Sequence, residues 1–256
     1  MAVVSTPGIL LRSFAYGDTS RILRFYTLRM GLVGVVAKGV RTSGSKRGSG
    51  LDTFVEGTLT FYHKATRDLQ TFKDFAPERV RRGLPRPMLR FAGASLLCEL
   101  VLKHAGEEAM PPLYEALSEG LDRLEEASVA DLPARILAGG WRIVTVLGYR
   151  PALDPCVRCG EPLGESEMAR FDFSAGGARC TSCGEEGGGP RVGPGARLQL
   201  VELTEGPTPD RLVLPGAHLQ LLSDFVTYHV SGGRPLKSFD LLAGLLPRDR
   251  EEDPRK

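Results

Sequence analysis

Most signatures of a common enzyme are missing from these 256 residues. There is no Gly-x-x-x-x-Gly-Lys-Ser/Thr loop, no Gly-x-Ser-x-Gly turn and no His-Glu-x-x-His helix. The four histidines, His63, His104, His218 and His229, share no spacing with carboxylates and read as surface or packing residues. No apolar run approaches the ~20 residues needed to span a bilayer. Met1–Pro7 has no basic cluster ahead of an apolar core, so the expectation is a cytoplasmic protein without a secretory leader. Aromatics are sparse at 7%, with a single tryptophan, yet 42% hydrophobic and 25% charged residues are ordinary for a folded chain. Global disorder is excluded, and the length suits two domains or one large one.

Net charge is also small, at +2, but it is unevenly spread. Residues 1–80 carry 12 Lys/Arg against 6 Asp/Glu, whereas residues 151–195 carry 4 against 7. The basic surplus therefore lies in the first third, where it suits a polyanionic partner. Arg21 and Arg24 fall on one candidate strand, and Lys38, Arg41, Lys46 and Arg47 cluster in and beside a Gly/Ser-rich loop at 39–50. Lys64, Arg67 and Lys73 flank the last two strands. Nine of the 18 aromatics share this third, among them Phe14, Tyr16, Phe25, Phe61 and Tyr62. Any one of these aromatics belongs by default to a barrel core, since half of a strand's side chains point inward. The cations as a group favour a functional surface, because small barrels hold single-stranded nucleic acid with basic grooves and interleaved aromatics.

Alternation and β-branched content predict strands at 8–12, 21–27, 32–37, 55–62 and 69–74. Five short strands fit a small closed barrel of the OB type, with an SH3-like barrel as the alternative. After Pro77 the period changes. Helices are expected over 88–104, along the Leu113, Leu117, Leu121 and Leu124 stripe, and from Asp131-Leu132-Pro133 to Gly148. Asp131 is the expected cap of the third helix. Trp141 and Cys98 read as core residues. Further on, 169–180 resembles a hairpin, 196–205 leans towards helix, 208–210 reads as a turn and 217–230 as helix, while the charged tail from Arg248 is expected to be disordered.

The most specific motif is Cys156-Val157-Arg158-Cys159-Gly160, followed after a gap by Cys180-Thr181-Ser182-Cys183-Gly184. Two thiolates two residues apart reach one ion, and a glycine after the second cysteine permits the tight turn. Four such ligands, Cys156, Cys159, Cys180 and Cys183, suit one tetrahedral Zn²⁺. A full thiolate sphere leaves no open position for water, so the ion would be structural. A redox Cys-x-x-Cys would sit in a thioredoxin-like βαβ unit, which the surroundings do not suggest.

The order of several short segments resembles the RecO family of bacterial recombinational repair proteins over nearly the whole chain. The segments are Gly8-Ile9-Leu10-Leu11-Arg12, Tyr16-Gly17-Asp18, Arg21-Ile22-Leu23, Ala37-Lys38-Gly39-Val40-Arg41 and Leu51-Asp52-Thr53-Phe54. Leu147-Gly148-Tyr149-Arg150-Pro151, leading into the first cysteine pair, is the most specific, and Arg234-Pro235-Leu236-Lys237-Ser238 resembles the C-terminal signature. The family commonly has Ala where Val40 stands.

The resemblance implies an α+β chain: an N-terminal five-stranded OB-fold barrel, then an α-helical domain with an inserted four-cysteine zinc-binding module. The boundaries expected are 1–80 for the barrel, 81–153 and 196–247 for the two helical parts, and 154–195 for the module, with 248–256 as tail. It implies a non-catalytic, nucleoid-associated mediator that binds single- and double-stranded DNA, anneals complementary strands and helps load RecA on DNA coated by single-stranded-DNA-binding protein (SSB). It also implies RecR as partner, and contact with the acidic, apolar C-terminal tail of SSB through the helical domain. Arg90 and Arg142 are candidate cations for that tail. Lys38, Arg41, Lys46 and Arg47 are the leading DNA-binding residues, with Arg21, Arg24, Lys64 and Arg67 in support. The alternatives are a zinc-ribbon RNA-binding or transcription-associated module and, as an enzyme, a thiol oxidoreductase or metal-dependent nuclease.

Overall fold

Apolar residues at every second position in the first third become five strands: β1 (Ala2–Tyr16), β2 (Ser20–Thr27), β3 (Gly31–Ala37), β4 (Glu56–His63) and β5 (Leu69–Arg79). The architecture comes from a computed structural model that describes residues 2–41, 50–184, 188–209 and 211–246. β1 pairs antiparallel with both β2 and β4, and β3 runs parallel to β5, so the ring β1-β2-β3-β5-β4 closes. Closure leaves no open sheet edge, and the arrangement is OB-like. Leu10, Leu23, Phe25, Val35, Leu59 and Phe61 point inward and fill the barrel as a core of its own.

β1 is much longer than its alternation predicts, because it borders two neighbours. Ala2–Ile9 pair with β4, and Gly8–Tyr16 pair with β2. The register shifts between Leu10 and Arg12. Such a bulge bends the strand and re-aims the side chains beyond it.

The helical body begins with α1 (Met88–His104), α2 (Pro111–Glu126) and α3 (Leu132–Val146). Next come β6 (Ala169–Asp172), β7 (Gly177–Arg179), the single turn α4 (Thr181–Gly184) and the short β8 (Arg191–Val192). The helices α5 (Pro194–Glu205), α6 (Pro215–His229) and α7 (Lys237–Leu245) complete the body. Trp141 and Cys98 are buried in the helical core, as their apolar surroundings in sequence suggest. Asp131 departs from expectation: its side chain makes no cap bond to the helix. Its carboxylate instead accepts the Ser128 hydroxyl at 2.7 Å. α7, with only Phe239 and Leu242 as large buried side chains, carries too short an apolar stripe to stand out in sequence. Glu99 holds it to α1 by accepting the Ser238 N–H at 3.0 Å and its hydroxyl at 2.5 Å. The turn expected at 208–210 reaches Asp210, and the tail from Arg248 lies wholly beyond; both positions are outside the described residues.

Several contacts fix the barrel on the helices. Ile9, Leu11, Tyr26 and Phe54 on the barrel's outside join the helical core. Beside them the Arg81 side chain is fully buried. It donates to Asp122 at 2.6 Å, Glu56 at 2.7 Å, the Phe54 carbonyl at 3.0 Å and the Ser118 hydroxyl at 3.0 Å. β4, the end of β5 and α2 thus share one saturated charge cluster. The β2–β3 turn abuts the α1–α2 loop so closely that a Cβ on Gly31 would collide with the Glu108 carbonyl oxygen, and Gly31 has φ +60°. Only glycine fits there. At that end the barrel meets the α1–α2 loop, and the β1–β2 turn lies at the other end of the hairpin.

Candidate metal centre and nucleic-acid interface

The β6–β7 hairpin brings the two cysteine pairs together. All four Sγ atoms lie within 4.8 Å of one another, and Cys159 and Cys180 are 3.8 Å apart. Tetrahedral Zn–S bonds of about 2.3 Å place sulfurs about 3.8 Å apart, so the donor set and its spacing fit one ion. None of the four is in a disulfide. Cys156 is buried beside Ala169 and Ala178, whereas Cys159 is exposed. Burial opposes ionisation of Cys156, but the N–H groups of Cys159, Cys180 and Arg158 together hold its thiol down to about 6. The hydrogen bond with Cys180 and burial push Cys183 up to about 12. Four thiolates this close would repel one another, and a cation held between them offsets that repulsion.

The two glycines of the motif do different work. Gly160 has φ +77° and returns its N–H to the Cys156 carbonyl at 2.9 Å, as a knuckle requires. Gly184 has no positive φ; it is the buried end of α4, where a Cβ would meet Arg170 at 3.3 Å. Glu167 ties the two halves of the module: its carboxylate accepts the Thr181 N–H at 2.7 Å and the Gly164 N–H at 3.0 Å. These bonds hold its pKa below the ordinary range. Phe171 plugs the hairpin into the helical core, its ring 6.0 Å from Phe225. The centre can hold a metal ion and brace the surrounding chain.

The barrel's cations gather in two places. Arg21 pairs in register with Ala37, beside Lys38. Arg41 donates its backbone N–H to Thr19 at 3.0 Å and a guanidinium N–H to the Gly17 carbonyl at 3.1 Å. Arg21, Lys38 and Arg41 therefore surround the β1–β2 turn, at the end away from the helices. Lys64 and Arg67 occupy the β4–β5 loop, pinned by Gln70, whose buried side chain accepts the Lys64 N–H at 2.8 Å and donates to the Arg67 carbonyl at 2.5 Å. Arg24 lies near that loop, because its neighbour Gly34 pairs with Leu69. Lys46 and Arg47 lie outside the described residues.

Arg21 and Arg24 share a strand but not a face. Leu23 and Phe25 point into the barrel, so Arg21 has inward parity at the barrel mouth and Arg24 points out. Arg12, absent from the sequence-based set, stands opposite Arg24 in register. The alternation Arg12-x-Phe14-x-Tyr16 carried the signal, had the first strand been extended through it. Among the described residues, no carboxylate forms an ion pair with Arg12, Arg21, Arg24, Lys38, Arg41, Lys64 or Arg67. Arg90 is committed elsewhere: it donates to the carbonyls of Arg86 at 2.9 Å and Ala127 at 2.6 Å. A cleft of about 280 Å³ between β1, α1 and α7 has Leu11, Phe91 and Leu102 in its walls and Arg12 and Lys237 on its lining. No helix among the described residues is long and apolar enough to cross a membrane.

An OB-like barrel locked to a helical body that carries a four-thiol centre is the class of protein that the fold and the site define. Family comparison narrows that class. The chain matches Recombination protein O N terminal over residues 1–79 and Recombination protein O C terminal over residues 87–238. It is 30% identical to the DNA repair protein RecO of Desulfatibacillum aliphaticivorans over 97% of this chain and 99% of that one. It is 32% identical to the RecO proteins of Syntrophotalea carbinolica, over 70% of this chain and 69% of that one, and of Rubrobacter xylanophilus, over 72% of each. The chain belongs to the RecO family, and its role lies in DNA repair and recombination.

Proposed function

We propose that the protein is a non-catalytic mediator of recombinational repair that binds single- and double-stranded DNA and anneals complementary strands. Annealing requires two repelling polyanions to be brought together with their base edges left free. The observation that carries this reading is the set of barrel cations free of carboxylate partners among the described residues: Arg21, Lys38 and Arg41 around the turn at the free end, with Lys64 and Arg67 in the β4–β5 loop towards the other end and Arg24 between the two groups. Lys46 and Arg47 extend the set in sequence. The four cysteines hold one structural Zn²⁺, which braces the module at 154–195 within a helical domain formed by 81–153 and 196–247, behind a barrel at 1–80.

In the cell this activity would serve to load RecA on SSB-coated strands, with RecR as partner, in the cytoplasm at the nucleoid. The tail of SSB needs a cation beside an apolar groove, and the cleft between β1, α1 and α7 has Lys237 beside Leu11, Phe91 and Leu102. A strand-annealing assay with and without SSB, repeated across salt concentrations, tests the reading. Replacing Lys38, Arg41, Lys46 and Arg47 with Ala is expected to slow annealing and to flatten the salt dependence of binding for all sequences alike. Unchanged rate and slope would remove this surface from the DNA site. Tighter binding to RNA than to DNA at equal salt would redirect the reading to an RNA-binding module.

A further inference from the structure

The outer face of the β1–β2 hairpin carries two features that a barrel merely standing in water would not favour. The first is a pair of exposed rings. Leu23 and Phe25 point inward, so Ile22 and Arg24 point out, and their register partners Phe14 and Arg12 point out with them. Tyr16 follows on the same face. Phe14 is 38% exposed and Tyr16 54% exposed. Farther along β1 and β2, the outward residues Ile9, Leu11 and Tyr26 are covered by the helical core; the cover stops at Arg12. The second feature is a like-charge pair. Arg12 and Arg24 stand directly opposite each other on neighbouring strands, a placement that destabilises a sheet. Asp18, in the turn, is the only acid between Ala2 and Thr27.

Both arginines are placed, not merely tolerated. The Arg12 guanidinium lies 4.8 Å from the centre of the Phe14 ring, where its charge meets the negative face of the ring. The Arg24 guanidinium rests on the bare backbone of Gly34, where a Cβ would lie only 2.6 Å from Nη1. An anion between the two guanidiniums removes their repulsion. Rings two residues apart on a strand are about 7 Å apart, which leaves room for one base on each.

We propose that this face is a base-stacking subsite for single-stranded nucleic acid, in which Phe14 and Tyr16 take unpaired bases while Arg12 and Arg24 hold the phosphate between them. The proposal rests on the reading of the barrel as the DNA interface and adds a preference to it. Cations attract a duplex and a single strand alike, but only unpaired bases can leave their stack for a protein ring. The aromatic pair therefore selects single strands, tolerantly of sequence because every base has a flat face.

The test uses the full chain, dye-labelled oligothymidylate, a duplex of equal length, and a single strand carrying 2-aminopurine. Phe14→Leu/Tyr16→Leu keeps apolar bulk on an exposed face and removes the rings. The double variant is expected to bind oligothymidylate at least about tenfold more weakly, to bind the duplex as the parent does, and to keep the parent's salt slope. With the parent, 2-aminopurine fluorescence changes on binding, and that change is lost in the variant. Arg12→Gln/Arg24→Gln is expected to weaken both ligands. Single-strand affinity of the ring variant within twofold of the parent, or equal losses for strand and duplex, would overturn the subsite while leaving the barrel as the DNA interface. A parent that binds neither probe would overturn both.

Discussion

The cysteine module and the barrel surface solve opposite problems. In the module the candidate ligand atoms are gathered: four sulfurs lie within 4.8 Å, and Glu167 ties the loop at Gly164 to Thr181 in the second pair by backbone N–H groups. At the barrel's free end the cations are exposed or half-buried, and Arg41 alone is anchored to the neighbouring turn by its own guanidinium. An ion demands fixed ligands, whereas a phosphate backbone met without base readout accepts charges that move with it. If the barrel binds DNA as proposed, stability and binding should separate when each region is altered.

The sharpest break is loss of the ion. Cys180→Ser, at a buried ligand, is expected to reduce metal content from about one zinc per chain to none and to lower the melting temperature more than any surface change. Structural zinc supplies on the order of 10 kcal/mol to small modules, and this Gly-rich segment has only a small core around Ala169, Ala178 and Leu163. Metal analysis and a thermal melt check it. Duplex binding within a few-fold of the parent would confirm that the centre braces and the barrel binds; complete loss of binding in a folded variant would erase the contrast.

Next comes the joint between the two regions. Arg81→Ala removes the buried cation that Glu56 and Asp122 share and leaves them only the half-exposed Arg79, so the loss should approach about 3–5 kcal/mol, the cost of breaking a buried pair from one side. Urea titration is expected to show a loss of that order. A loss under about 1 kcal/mol would mean that water replaces the guanidinium and that barrel and helices are held by apolar contact alone.

How much of this was legible beforehand differs by region for the same reason. The four cysteines that could hold a metal lie in two pairs three residues apart, so spacing alone picked out the cluster. The helical core was legible where stripes were long, as at Leu113, Leu117, Leu121 and Leu124, and not in α7. The barrel's interior followed from alternation. The layout of its surface cations did not, because which of them become neighbours depends on strand register: Arg12 meets Arg24 across a bulge. Arg81 was equally hidden, since nothing local distinguishes a fully buried arginine from Arg82 beside it.

A milder change tests the joint through pH. Burial raises the Glu56 carboxyl, but hydrogen bonds from Ser118 and Arg81 and the charges of Arg81 and Arg79 outweigh it, and its pKa lies below the usual value. A depressed carboxylate contributes stability above its unfolded pKa, about 4.3, and loses it as pH falls through the folded value. Glu56→Gln is expected to cost about 1–3 kcal/mol at pH 7. Parent and variant melting temperatures should draw together as pH falls below about 4.3 and through the folded value. A gap that does not narrow at all as pH falls would assign the effect to packing instead of charge.

The smallest expected effect on stability carries the largest weight for function. Lys38 and Arg41 are exposed, and surface substitutions of this kind usually change stability by under about 0.5 kcal/mol. Arg41 does brace the β1–β2 turn through Gly17, so Arg41→Gln is the better probe than truncation at that position. Lys38→Gln/Arg41→Gln should melt like the parent. Each charge that neutralises a phosphate contributes about 0.9 to the slope of log affinity against log salt on duplex DNA, so the double variant should lose nearly 2 from that slope if both charges engage. The slope counts contacts independently of fold, which makes it the cleanest separation of the two regions. A melt shifted by several degrees with an unchanged slope would turn the comparison around, making the free end of the barrel a structural element and sending the search for the DNA site elsewhere on the chain.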